Sequence, residues 1–411
     1  MTSERRIVVT GIGLLSPVGN SMAELTAALQ SSRSGVVRQE QWEDIGNLRT
    51  RVAGVCTGVD EKQIPRQARR SMGRVSILAT LATMNAVTES GLSSDFIASP
   101  ACGISYGSTA GSSHALEGFL SRILTNRSLK GMQGSTYLQF MSHTCAANLA
   151  MFFQVKGPVV ASCTACVSGS QGIGFGYQQI KSGAATAMLC GGAEEMHFMD
   201  AGIFDILRAT STEFNERPEL TPRPFDAGRD GLVVGEGAGC LVLEELDHAR
   251  KRGAHIWAEV LGYGTNCDGS HLTNPSADGM AGAMRVALAD ARLPVDAIEH
   301  INAHATATMA GDIAESKGTF KVFGTDVPVS ALKGYMGHTL GACGAIESAA
   351  TIAMMREGFM APTRNLSVPD PDCAPLQHVM GEPRSVRFST AMNNNFAFGG
   401  INTSLIFSTE V

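Results

Sequence analysis

The segment running Val159-Val-Ala-Ser-Cys-Thr-Ala-Cys-Val-Ser-Gly-Ser-Gln-Gly172 constrains this chain more than any other. A short β-branched apolar run gives way to small and polar residues, and Cys166 sits where the pattern changes. The pattern predicts a buried strand, a tight turn and the first turn of a helix. Such an elbow presents a nucleophile at its apex. A thiol there meets orphan backbone N–H groups and the positive end of the helix dipole, both of which favour the thiolate. Ala165, Ser168 and Gly169 leave room for a substrate to approach.

Two histidine segments follow far downstream, Asn302-Ala-His-Ala-Thr-Ala-Thr308 and Lys333-Gly-Tyr-Met-Gly-His-Thr-Leu-Gly341. Each comes after an apolar run, Ile298–Ile301 for the first and Val327–Leu332 for the second, which predicts a histidine near a strand end. One cysteine with two distant histidines suits acyl transfer through a thioester. Cys163 and Cys166 also form a C-x-x-C, which could be a redox pair or half of a zinc site. No second ligand pair of similar spacing exists for zinc, and a redox pair leaves both histidine segments unexplained.

The chain resembles the β-ketoacyl-acyl-carrier-protein synthases of the type I/II elongating class, within the thiolase superfamily. The match runs from Arg5-Arg-Ile-Val-Val-Thr-Gly-Ile-Gly13 to Phe396-Ala-Phe-Gly-Gly-Ile-Asn402. Between them lie Gly191-Gly-Ala-Glu-Glu195, Arg223-Pro-Phe-Asp226, Arg229-Asp-Gly231, Gly235-Glu-Gly-Ala-Gly239 and His304-Ala-Thr-Ala-Thr308 with Asp312 and Glu315. The resemblance implies a five-layered αβαβα thiolase-like fold of two pseudo-repeated halves, residues 1–253 with the nucleophile and 254–411 with both histidines. It implies Cys166 as nucleophile, Cys163 as a packed strand residue, and His304 and His338 as imidazole donors to the malonyl thioester carbonyl. Lys333 is the family's active-site lysine, expected to pair with Glu315. Phe398, beside Phe396, matches the family's gating phenylalanine, and the resemblance implies that its N–H shares an oxyanion hole with that of Cys166. Thr306 and Thr308 would either hold the phosphopantetheine arm or make only local turn bonds. Ala110 falls where the family sets acyl-pocket depth, and its small size implies an open pocket.

The implied reaction is a decarboxylating condensation of acyl and malonyl groups carried on acyl carrier protein, with no metal or organic cofactor. The family implies a homodimer, and pairing with a related subunit is the alternative. Arg66, Arg69, Arg70 and Arg74, with Arg122, Arg127 and Lys130, are either a docking face for an acidic carrier or a solvated basic face. Three departures stand out: Ala305, Ala397 and Ile401 replace the usual Gly, Gly and Thr. The two alanines are expected to stiffen the backbone and narrow the room near the thiol. They motivate a second reading, a ketosynthase specialised for polyketide or aryl polyene chains. A third, a non-catalytic chain-length partner, is disfavoured because Cys166 is present.

Composition excludes other classes. A net charge of −6 gives no case for nucleic acid. No stretch reaches the ~18 apolar residues of a membrane span, and Met1–Arg6 lacks a secretory core. Ten scattered cysteines suit a reducing cytosol. Apolar spacing predicts helices over 21–29, capped by Ser21, and over 71–90, with a helical insertion over 112–150.

Overall fold

The computed structural model describes residues 5–411; residues 1–4, where the secretory-core reading begins, lie outside the described residues. The principal elements are β1 (Ile7–Leu15), α1 (Met22–Gln30), α2 (Arg74–Ser90), β2 (Cys102–Gly107), α3 (Ser113–Asn126), α4 (Thr144–Phe153), β3 (Val159–Val160), α5 (Ser168–Lys181), β4 (Ala187–Glu194), α6 (Phe198–Ile206) and β5 (Gly237–Glu245). They continue with β6 (Ala258–Cys267), α7 (Ala277–Ala291), β7 (His300–Ala303), α8 (Met309–Phe323), β8 (Pro328–Ala331), α9 (Cys343–Glu357), β9 (Thr390–Phe396) and β10 (Ile401–Ser408).

Strand order makes the duplication explicit. The first five strands lie in the order β3-β2-β4-β5-β1, the second five in the order β8-β7-β9-β10-β6. Numbered within its own half, each reads 3-2-4-5-1. The first three strands in each row are parallel and the last two pairings antiparallel. The two rows meet where Ile7–Val9 of β1 pairs with Ala258–Val260 of β6.

Both sheets are covered on both faces, which is why their strands read as nearly continuous apolar runs. On β5, Leu241 and Leu243 point into a central core while Cys240 and Val242 point to an outer one. On β10, Leu405 and Phe407 face that same central core and Ile406 the other outer one. Helices α5 and α9 fill the centre; α2 covers the first sheet, and α7 with α8 the second. The layers are therefore α/β/α/β/α. A pair of glycines sets the outer helices close in each half. A Cβ at Gly11 or Gly13 would collide with the backbone of α2, and one at Gly262 or Gly264 with that of α7.

Several local expectations hold with adjusted ends. Ser21 caps α1 by accepting the Glu24 N–H. The long helix starts at Arg74, after Gly73, and not at Ser71. Strand β7 lies two residues later than predicted and stops directly before His304. One expectation is overturned: the run before Cys166 is not a buried strand. β3 has two residues on the sheet edge, and Val159 is 47% exposed. Beyond it the chain leaves the sheet to build the elbow, so Cys163 is exposed and outside any strand, its thiol donating to the Thr109 carbonyl. Among the described residues no helix is long and apolar enough to cross a membrane.

Candidate active site

Cys166 occupies a single 3-10 turn, Ala165–Val167, that runs into α5. Ala165 adopts φ +50°, a left-handed conformation that costs a non-glycine residue energy and marks an over-determined turn. Small hydroxyls hold it: Ser168 Oγ donates to the Ala165 carbonyl and accepts the Thr164 N–H, and Ser162 Oγ donates to the Ser168 carbonyl. The small-residue run of the sequence is thus the scaffold of the elbow.

The second half delivers both imidazoles to this thiol. His338 Nε2 lies 2.9 Å from Cys166 Sγ. The His304 and His338 rings stand edge to face with centroids 5.1 Å apart. His338 does not sit at the strand end itself: a short helical turn, Lys333–Met336, and Gly337 at φ +74° intervene. Backbone bonds from His338 N–H to the Val233 carbonyl and from Gly235 N–H to the His338 carbonyl pin it. His304 follows β7 directly. Glu315 of α8 holds that turn, its two oxygens accepting the N–H groups of His304 and Ala305 at 2.7 and 2.6 Å. Asp312 accepts those of Ala307 and Phe225, with Arg229 3.7 Å away. The Arg223–Asp226 and Arg229–Gly231 strings therefore brace the first histidine loop.

This geometry corrects the lysine's partner. Lys333 is fully buried and donates to Glu347 of α9 at 2.6 Å, not to Glu315. Glu315 is committed to two amides, and Glu347 lies one helix turn inside α9. Asn395 donates to the other Glu347 oxygen at 2.7 Å. Burial works against the Lys333 ammonium, yet the adjacent Glu347 holds its pKa above the ordinary lysine value. Burial first and the Lys333 charge second push His304 and His338 far below the usual imidazole range. Both rings are neutral.

Burial also pushes the Cys166 thiol up to about 12, against the pull of Lys333. The resting state is accordingly a neutral thiol beside a neutral imidazole, not the thiolate expected from the helix dipole alone. The N-terminus of α5 and Lys333 instead stabilise negative charge as it develops.

A cavity of about 340 Å³ opens onto Cys166, His304 and His338. Thr306, Thr308, Phe396, Ala397 and Phe398 line it with them. The two threonine hydroxyls lie 3.0 Å apart, and Phe398 packs against Phe204 of α6 with ring centroids 5.5 Å apart and tilted by 52°. Ala110 is exposed and off this lining, so it sets no depth within the chain's own cavity. Ala305 is buried in the outer core among Phe225 and Ala303, so only Ala397 narrows the site. Sequence reasoning missed Phe204, Leu272 and His271 on the wall, which lie in segments without a reactive motif. Of the basic residues, Arg74 is bound bidentately to buried Glu236 and Arg69 to Glu61, which removes both from any docking face. Arg66, Arg70, Arg122, Arg127 and Lys130 remain exposed.

A second buried carboxyl braces the elbow. Glu194 Oε2 accepts the N–H groups of Thr109 and Gly341 at 2.8 and 3.1 Å, and burial pushes its pKa up to about 8. From the ordinary carboxyl range up to about pH 8, the folded chain keeps a proton that the unfolded chain releases. Stability therefore falls as pH rises through that window. Buried His300 and His378, held down to about 3 and about 4, act in the opposite sense but only below about pH 6.5. The melting temperature is expected to decline between about pH 6.5 and 8. Buried Glu315, pushed up to about 8, and Asp200, pushed up to about 7, act in the same sense as Glu194. Glu194→Gln, which copies the protonated acid and keeps its acceptor, should therefore remove one share of that decline; a calorimetric pH series checks it.

Comparison with known proteins agrees with the geometry. The family profile "Beta-ketoacyl synthase, N-terminal domain" matches residues 4–249, and "Beta-ketoacyl synthase, C-terminal domain" matches 257–367. The chain is 37% identical to a 3-oxoacyl-[acyl-carrier-protein] synthase 2 of Vibrio cholerae, over 98% of this chain and 99% of that one. It superposes on the crystal structure of a beta-ketoacyl synthase from Burkholderia phymatum with TM-score 0.95 and 48% identity, covering 98% and 99% of the two chains. It matches the ishigamide ketosynthase/chain length factor with TM-score 0.92 and 33% identity over the whole of both chains. The chain belongs to the β-ketoacyl synthase family and is an acyltransferase.

Proposed function

We propose that this protein is a 3-oxoacyl-acyl-carrier-protein synthase that lengthens an acyl chain by two carbons in fatty acid elongation. The observation that carries the reading is the convergence of Cys166 with two neutral imidazoles on one cavity. As the acyl thioester arrives, the Cys166 thiol passes its proton toward His338 and attacks the carbonyl carbon. The backbone N–H groups of Cys166 and Phe398 receive the oxyanion, and the carrier thiol leaves with a proton. A malonyl thioester then enters and loses CO2. Its carbonyl oxygen becomes an enolate oxygen held by N–H donation from His304 and His338. The enolate carbon attacks the acyl-enzyme, expelling the Cys166 thiolate, which regains a proton. Burial, reinforced by the Lys333 charge, keeps both rings uncharged so that they act as donors, and Thr306 and Thr308 hold the pantetheine arm. No metal or organic cofactor takes part.

Acyl carrier protein is the proposed partner. Arg66 and Arg70 beside α2 and Arg127 and Lys130 after α3 would steer an acidic carrier. Replacing Arg66 and Arg70 by glutamate is expected to raise KM severalfold for carrier-borne substrates, most at low salt, while leaving turnover of short pantetheine thioesters unchanged. Steady-state kinetics on both substrate forms checks this. A homodimer is proposed through the open edge of β3 and the exposed apolar residues Leu120 and Leu124 of α3 and Leu129 just after it. The free state of all ten cysteines suits the cytosol.

The deciding experiment incubates the protein with acyl-carrier thioester and then malonyl-carrier protein, with mass spectrometry of both proteins. An acyl adduct on Cys166 and a 3-oxo product two carbons longer are expected; no adduct would sink the proposal. Ala397 on the cavity wall and the ishigamide ketosynthase match favour one second reading, a specialised polyene or polyketide ketosynthase. Faster extension of polyunsaturated or aryl chains than of saturated ones would select it.

A further inference from the structure

The condensation engages the thiol and the two imidazoles as reacting groups, but their donor atoms together have a second chemical property. The sulfur of Cys166 and one nitrogen each from His304 and His338 all lie within 4.8 Å of one another. In a tetrahedral thiolate–imidazole zinc site, bonds of about 2.3 Å to sulfur and 2.0–2.1 Å to nitrogen place donor atoms about 3.5 Å apart. The Nε2–Sγ distance is 2.9 Å, so adjustments on the order of 1 Å suffice. Nδ1 of each ring is buried without a hydrogen-bond partner, so no competing partner in the protein holds that nitrogen. The cavity gives the ion an entry path and an open fourth position for water.

We infer that Cys166, His304 and His338 form a site for a thiophilic divalent transition ion, Zn²⁺ above all, whose binding silences the nucleophile. The ion replaces the thiol proton: the S–H bond breaks, a metal–sulfur bond forms, the proton goes to solvent, and no electron is transferred. A sulfur and two imidazoles select against Mg²⁺ and Ca²⁺, which require oxygen donors. The charge of Lys333 is opposed by Glu347 at 2.6 Å, so the thiolate is the anion the ion meets. A neighbouring set, His304, Cys343 and Glu347, is as tightly grouped but already spent. Both Glu347 oxygens are taken by Lys333 and Asn395, and the Cys343 thiol donates to the Cys166 carbonyl.

This goes beyond the condensation and does not rest on it, because the test reads alkylation of the full-length protein. Iodoacetamide labelling of each cysteine is followed by peptide mass spectrometry with Zn²⁺, with Mg²⁺, and after chelation. Zn²⁺ is expected to slow Cys166 labelling at least tenfold, reversibly, while exposed Cys163 and Cys267 label as before and Mg²⁺ does nothing. Even an outer partner of a zinc ligand is worth about 10–100-fold in affinity, so His304→Ala and His338→Ala should each demand at least tenfold more Zn²⁺. Cobalt on the unmutated protein supplies a readout free of folding effects, a near-ultraviolet thiolate-to-metal band lost in Cys166→Ser. The inference is overturned if both histidine variants are protected as well as the parent, if Cys267 is slowed equally, or if cobalt gives no band.

Discussion

With Cys166 replaced by alanine, condensation is expected to fall by on the order of 10⁴–10⁶ while malonyl-thioester decarboxylation continues. The two activities separate because they draw on different side chains. Bond formation needs an acyl group on sulfur, and no other thiol is placed to substitute. Cys343, whose sulfur lies 3.2 Å from the Cys166 carbonyl, is buried and spends its thiol on that carbonyl, and the Cys163 thiol is spent on the Thr109 carbonyl. Decarboxylation needs only a carbonyl oxygen held by two neutral donors, and His304 and His338 are pinned by their own loops, not by the thiol. His304→Ala is the complement. It removes one donor from the developing enolate, worth about 3–4 kcal/mol or roughly 10²–10³ in rate, and should depress decarboxylation and condensation together. Acylation of Cys166, which depends on His338 at 2.9 Å, should survive it. Release of CO2 and formation of acyl-enzyme, measured on both variants, check the division of labour. A Cys166→Ala protein that still makes 3-oxo product would refute the assignment of the nucleophile.

The reacting groups were legible because each sits in a local pattern that the backbone demands. The elbow needs the small residues around Cys166, and the close approach of α2 needs Gly11 and Gly13. The duplication was nearly invisible in sequence, since it resides in strand order and not in residue identity. Partners contributed by distant elements could not be read. Glu315 is eleven residues from His304 and looked available to Lys333, whereas Glu347 is on the buried face of another helix. Likewise the state of the thiol depended on total burial, which opposes the helix dipole and which no motif reports. Ala305 and Ala397 were indistinguishable as departures. Only the fold separates a methyl packed in an outer core from one on the cavity wall.

Glu347→Ala is expected to cost about 3–5 kcal/mol of folding stability. The reason is the asymmetry of a buried ion pair. Lys333 is fully buried, and Glu347 with its 2.6 Å hydrogen bond opposes its desolvation. Removing the carboxylate leaves an ammonium with no countercharge in contact and reduces the Asn395 amide to its weak bond to the Cys343 sulfur. Lys333→Met should cost less, because the remaining carboxyl can take a proton. Its pKa is raised by burial and is no longer drawn down by Lys333, so the folded chain binds a proton the unfolded chain lacks. The stability of Lys333→Met must then fall as pH rises above the ordinary carboxyl range, more steeply than that of the parent. The double variant Lys333→Met with Glu347→Leu replaces two charges by apolar volume and is expected to recover most of the loss, with no added pH dependence. Urea midpoints for the three variants at about pH 5.5 and 8 decide the matter. Equal losses for both single variants, unchanged with pH, would mean that packing and not charge sets the worth of the pair. The same series separates stability from chemistry: the double variant should fold yet turn over slowly, because the charge that eases the Cys166 proton away, and that adds to burial in disfavouring the charged forms of His304 and His338, has gone.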